Sequence, residues 1–149
     1  MNHYVYDPMQ YRSPQRLWDP VTGEFVDRWI TTSDFDIQLP DGRQIHIPIG
    51  FIYDKASVPR LVWWYIPRDD RHINIAALVH DYLYEIQQIE NDWIVRKEAD
   101  QHFHGIIKQS GMRPTKAYAA YAGVRAGGWR FYNKRARRLG NPFYGAALT

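Results

Sequence analysis

A run of small and branched apolar residues interrupted by a His-Asp pair and two tyrosines, Ala76-Ala77-Leu78-Val79-His80-Asp81-Tyr82-Leu83-Tyr84, constrains the fold more than any other stretch of this chain. Ala76, Val79, Leu83 and Ile86 recur at spacings of three, four and three. That is one apolar face of a 3.6-residue period, so the run reads as a helix with its stripe in a core. His80 and Tyr84 share a neighbouring stripe, and Asp81 stands about 100° round from His80. A second helical pattern starts near Val95, with Ala99, Phe103 and Ile106 on its apolar face and Asp100 and His104 stacked beside it. Asp69-Asp70 supplies an N-cap and favourable negative charge for the first helix.

Packed antiparallel through those faces, the two helices bring His80 within hydrogen-bonding distance of Asp100 at the rim of the core. An imidazole with one nitrogen held by a carboxylate can take a proton from water through the other, which is general-base chemistry. Asp81 then points to an adjacent sector, free to ligate a hard cation or to stay solvated. The same residues also serve as core polar groups satisfied by one another, the ordinary use of a lone His-Asp pair. A metal-dependent phosphohydrolase would add an upstream histidine, His46 or His72, as a ligand. His102 and His104 flank Phe103 on opposite sides, so only one can join a site; His104 is the candidate and His102 faces solvent.

His80-Asp81-x-x-Tyr84, followed by Ala99-Asp100-Gln101-x-Phe103, resembles the core of the secreted phospholipase A2 superfamily, nearest its bacterial and parvoviral-capsid branches. The resemblance implies His80 as base for the attacking water, Asp100 as its orienter, Tyr84 as support for Asp100, and Asp81 as a calcium ligand. That family takes further calcium ligands from an upstream glycine-rich loop, and no Gly-x-Gly precedes His80 here. Over residues 25 to 130, Gly50-Phe51-x-x-Asp54-x-x-Ser57-Val58-Pro59-Arg60 with His80-Asp81-x-Leu83-Tyr84 also resembles a family of uncharacterised domains from bacteriophages and prophages. This second resemblance carries no activity with it. It implies a setting in the host cytoplasm or the virion.

The rest of the chain supplies the frame. At 149 residues it suits one domain, 1–149, and its zero cysteines exclude disulfides and thiolate metal sites. No stretch reaches the eighteen apolar residues of a membrane span and no signal peptide opens it, so a soluble, unexported protein is expected. Residues 1–19 read as an irregular arm, part of which packs, since Tyr4, Tyr6, Tyr11 and Trp18 exceed what a loose tail needs. Residues 25–49 form an antiparallel meander: a strand from Phe25 to Thr32, then Phe35, Ile37, Leu39 and Ile45, Ile47, Ile49 alternating about a turn at Asp41-Gly42.

In the loop that follows, Asp54 and Ser57 either supply cation ligands or satisfy turn backbone, and Arg60 is a possible pairing partner there. Trp63-Trp64-Tyr65 serves as a packing wedge or as an interfacial anchor. Gly111 ends the Asp100 helix and Pro114 begins a third, from Thr115 to Asn133, with Ala117, Tyr121, Val124, Gly128 and Phe131 as its stripe. The helical part is thus 71–133 and a basic tail follows at 134–149. Residues 116–149 hold Lys116, Arg125, Arg130, Lys134, Arg135, Arg137 and Arg138 with no acidic residue, which suits an anionic partner.

These readings combine into an α+β fold, a small N-terminal antiparallel β-meander on about three C-terminal helices. Three functions fit it. One is a calcium-assisted phospholipid hydrolase using His80, Asp100 and Tyr84, with Asp81 and Asp54 at the cation and Ser57, Arg60 and His104 in support. Another is a phage structural or assembly protein that binds other phage structural proteins and whose polar cluster only fixes helices. The third is a phage effector that binds a host factor through its basic end.

Overall fold

A computed structural model of the chain describes residues 15–54, 58–65 and 71–145. Its architecture is α+β: antiparallel strands come first and five helices follow among the described residues. The strands are β1 (Gln15–Asp19), β2 (Glu24–Ile30), β3 (Phe35–Gln38), β4 (Gln44–Ile47) and β5 (Ile52–Tyr53). The helices are α1 (Arg60–Tyr65), α2 (Arg71–Ile86), α3 (Arg96–Gln109), α4 (Pro114–Ala126) and α5 (Trp129–Leu139), with a short hairpin of β6 (Gln88–Ile89) and β7 (Asp92–Trp93) between α2 and α3.

The expected single meander is instead two sheets. β1, β2 and β5 pair in that order, while β3 and β4 form a separate hairpin. Thr31 is the cause. Its amide donates to the Phe51 carbonyl at 3.0 Å, its carbonyl accepts from Gly50 at 2.9 Å, and its hydroxyl donates to the Pro48 carbonyl at 2.8 Å. With Thr31 committed to the chain returning from β4, the place beside β2 goes to β5 rather than to β3. The hairpin has the predicted alternation: Phe35 faces Ile47 and Ile37 faces Ile45 on the buried side, while Asp36 faces His46 outside. The arm also needs correcting, since residues 15–19 are the strand β1, on which Trp18 meets Phe25 edge to face at 5.0 Å. The rest of the arm, 1–14, lies outside the described residues.

α2 is the central helix. Ile73 and every residue from Ile75 to Asp81 are buried, as for a helix apolar on nearly all sides. It packs on α3 and α5; α3 packs on α4, and α4 on α1. The predicted cap Asp69-Asp70 lies outside the described residues. Between α2 and α3, Glu90 and Asn91 both take positive φ, 49° and 70°, the two-residue turn that suits the right-handed twist of a hairpin. Gly111 (φ 88°) follows α3 and Pro114 opens α4, as the sequence indicates.

The third predicted helix, Thr115 to Asn133, breaks in two at Gly127-Gly128. Gly128 is left-handed at φ 72°, which favours glycine, and a Cβ on Gly127 would lie 2.5 Å from Pro59 Cγ, a contact only glycine avoids. Beyond the break the buried face shifts to Tyr132 and Ala136, and Phe131, placed in the apolar stripe by its spacing, is 45% exposed. The first six residues of the expected basic tail, 134–139, are therefore the second half of α5, which is capped by Gly140 (φ 73°).

The hairpin turn sits directly on α3, where a Cβ on Gly105 would lie 2.7 Å from Pro40 Cγ and 3.0 Å from its Cβ. Gly105→Ala gains up to about 1 kcal/mol of helix propensity, but the rigid proline ring cannot retreat and overpacking costs about 1–3 kcal/mol. The expected result in urea unfolding is a net loss of stability and an unchanged m-value.

Candidate functional site

Three helices converge on one carboxylate. His80 and Tyr84 lie one turn apart on α2, Asp100 and Arg96 one turn apart on α3, and Arg125 comes from the last turn of α4. Asp100 Oδ1 lies 2.6 Å from His80 Nε2 and accepts the Tyr84 hydroxyl at 2.7 Å. Oδ2 accepts from Arg125 Nη1 at 2.8 Å and Arg96 Nη1 at 3.2 Å. Both His80 and Asp100 are fully buried. The sequence expectation that His80, Tyr84 and Asp100 meet agrees with this geometry, but they meet inside the core rather than at its rim.

An ionised carboxylate is acceptor-only, so the hydrogen at the His80–Asp100 contact belongs on Nε2. Burial, and after it the Asp100 carboxylate, push the Tyr84 phenol far above its usual range, so it stays a donor. The imidazole packs on the Tyr84 ring at 4.2 Å and the Phe103 ring at 5.2 Å. Arg96 also donates to the carbonyls of Val124, Arg125 and Gly127 at 3.1–3.4 Å, satisfying the unpaired carbonyls where α4 ends.

Asp81, 100° round the helix, faces elsewhere. It lines a hollow of about 180 Å³ with Asp54, Glu85, Arg28, Phe51, Ile52, Tyr53 and Phe131. The two residues predicted to hold a cation therefore share one hollow. Glu85 is paired with Arg135 at 2.8 Å, and His80 is not part of the lining. Of the supporting residues, Ser57 lies outside the described residues and Arg60 is exposed at the start of α1. His104 stacks on Tyr121 of α4 at 4.9 Å, away from the carboxylate network.

His102, expected in solvent, is buried at 5% exposure because the hairpin turn folds over α3. Its Nε2 lies 3.5 Å from Asp41 Oδ2 and 3.5 Å from Arg43 Nη2. Asp41, Glu98 and His102 are the only three such groups, among the described residues, close enough to share an ion. Arg43 already bonds to Asp41 at 2.6 Å and to Glu98, so a guanidinium serves as the cation there. Sequence reasoning missed both arginines as partners of Asp100. The i, i+4 spacing of Arg96 and Asp100 is a readable signal, whereas Arg125 gives none beyond its charge.

Residues 29–124 match a family described as Protein of unknown function (DUF1353). The matched stretch includes His80, Asp81, Tyr84, Arg96 and Asp100 and stops one residue before Arg125. No curated protein and no solved structure matches the chain.

Two outcomes follow from this geometry. Asp100→Asn removes the anion between two guanidiniums and should cost about 3–5 kcal/mol in chemical denaturation, the loss typical of breaking a buried ion pair. Burial holds the His102 imidazole below its ordinary pKa of 6.5. As pH falls below that value the unfolded chain takes up a proton that the folded chain resists, so stability is lost with falling pH. His102→Gln should flatten the urea-midpoint slope between about pH 7 and about pH 5.

Proposed function

Because the chain belongs to the DUF1353 family, whose description names no activity, we propose a function from its residues: a phage-encoded hydrolase of phospholipid esters resembling phospholipase A2. The carrying observation is the 2.6 Å contact of His80 Nε2 with Asp100 Oδ1, with the Tyr84 hydroxyl on the same oxygen. In this reading Nδ1 of His80 takes a proton from water as the oxygen attacks the ester carbonyl. The imidazolium then returns that proton to the departing lysophospholipid oxygen as fatty acid is released. Asp100 holds the ring in the required tautomer, and Tyr84, Arg96 and Arg125 hold Asp100.

The donor set of the hollow suits a hard cation such as calcium, since Asp54, just past β5, and Asp81, on α2, both bring carboxylates to its lining. Calcium held there by Asp54 and Asp81 would supply polarisation of an ester carbonyl. The phage setting is supported by the likeness of residues 25 to 130 to bacteriophage and prophage domains.

The complete burial of His80 and Asp100 favours a second reading. In it the network serves only to lock α2, α3 and α4 together, and the protein is a structural or assembly component of a phage particle. One experiment separates the two. With mixed phospholipid vesicles and calcium, the hydrolase releases fatty acid, and chelation stops the release. His80→Gln lowers the rate about 10²–10⁴-fold, and Asp81→Asn reduces it while far-UV circular dichroism is unchanged. A wild-type protein that releases no fatty acid, found in purified virions, transfers the conclusion to the scaffold.

A further inference from the structure

α5 lies beyond the stretch matched by the family and carries a surface that the His80 network does not use. Tyr132 and Ala136 fix its buried face, and on the opposite side Arg130, Lys134, Arg137 and Arg138 are all exposed. At 100° and 1.5 Å per residue these four cations occupy one stripe about 12 Å long. The fifth, Arg135, is turned away and spent on Glu85, with Nη2–Oε1 2.8 Å and its Nε donating to the Glu85 carbonyl at 3.1 Å. Among the described residues no carboxylate pairs with the other four. Residues 116–149 contain no acidic side chain that could do so.

Exposed rings border the stripe. Phe131 is 45% exposed on one flank and Trp129 48% on the other, with the Arg130 guanidinium 5.2 Å from the Trp129 ring. Past Gly140, Phe143 and Tyr144 are also exposed. The chain there is held in place, since Asn141 donates to Gln87 Oε1 at 2.8 Å and accepts from the Phe143 amide at 2.9 Å. Cations beside exposed aromatic rings on a convex helix match an interface that offers anionic headgroups and an apolar layer directly beneath. A nucleic-acid duplex would satisfy the charges and leave the rings in water, because its bases are stacked inside.

We propose that α5 is a docking surface for a bilayer leaflet rich in anionic phospholipid, with Arg130, Lys134, Arg137 and Arg138 on the headgroups and Trp129 and Phe131 dipping beside them. The four cations lie outside the hollow of the hydrolase reading, whereas Phe131 also lines it, so binding is tested apart from hydrolysis with ether-linked lipids, which hold no ester to cut. The full chain is sedimented with vesicles of ether-linked phosphatidylcholine, with or without ether-linked phosphatidylglycerol. The expected result is capture by the anionic vesicles and not by the neutral ones, weakening as salt is raised. The Lys134→Gln/Arg138→Gln double variant should bind about 25-fold more weakly, roughly fivefold for each charge removed. Phe131→Ser should weaken binding further, and Lys116→Gln, an exposed cation on α4, should bind as wild type. Equal capture by neutral vesicles, a double variant that binds as wild type, or tighter binding to a duplex oligonucleotide than to anionic vesicles would overturn it.

Discussion

One buried carboxylate organises the helical half of this protein. Asp100 has no contact with water, and stripping a carboxylate of its hydration costs several kcal/mol before any partner is counted. Four donors on three helices offset that cost: Tyr84 and His80 from α2, Arg96 from α3 itself, Arg125 from α4. Each has a geometric requirement, so together they fix the rotation of the three helices about their axes far more tightly than apolar packing alone. Arg96 extends the constraint to the end of α4 through three carbonyls there.

The same arrangement divides α2 between two environments within one residue step. His80 is enclosed by Tyr84, Phe103 and Asp100, whereas Asp81 turns to the hollow shared with Asp54. A base enclosed by rings and an acid that lines a hollow are separated only by the 100° increment of the helix. Any chemistry at His80 must therefore bring water through the layer of rings around it, and that layer is what divides a hydrolase from a scaffold. The packing that orders the imidazole is also what shields it.

Much of this was legible because the signals are local. The stripe through Ala76, Val79 and Leu83 specifies α2, and the period through Ala99, Phe103 and Ile106 specifies α3. Two such faces packed together leave His80 and Asp100 few places to go but toward each other. The Asp41-Gly42 turn, with isoleucines at every second position after it, likewise marks the hairpin. The signals that failed depend on distant partners. The pairing of β5 with β2 is decided by Thr31 bonding to residues 48–51, and nothing near Thr31 in sequence announces it. His102 looked solvent-facing by its spacing from Phe103, but the turn of another hairpin covers it. Arg125 looked like part of a basic end because an isolated arginine shows its charge and not its counterion.

The glycine pair at 127 and 128 shows how one local break redirects a whole surface. Had the helix run on without interruption, Phe131 would have continued the stripe of Ala117 and Val124 into the core. The left-handed Gly128 resets the rotation, so Tyr132 and Ala136 turn inward instead, and Tyr132 anchors the new direction by donating to the Ile94 carbonyl at 2.5 Å. Gln87, itself at φ 58°, donates to the carbonyl of Tyr132 at 2.9 Å and accepts from Asn141, which ties both ends of α5 to the end of α2. Once Tyr132 is inside, the 100° step obliges Phe131 to border the hollow and Arg130, Lys134, Arg137 and Arg138 to face outward. The charged stripe and the lip of the hollow are thus consequences of the same two glycines.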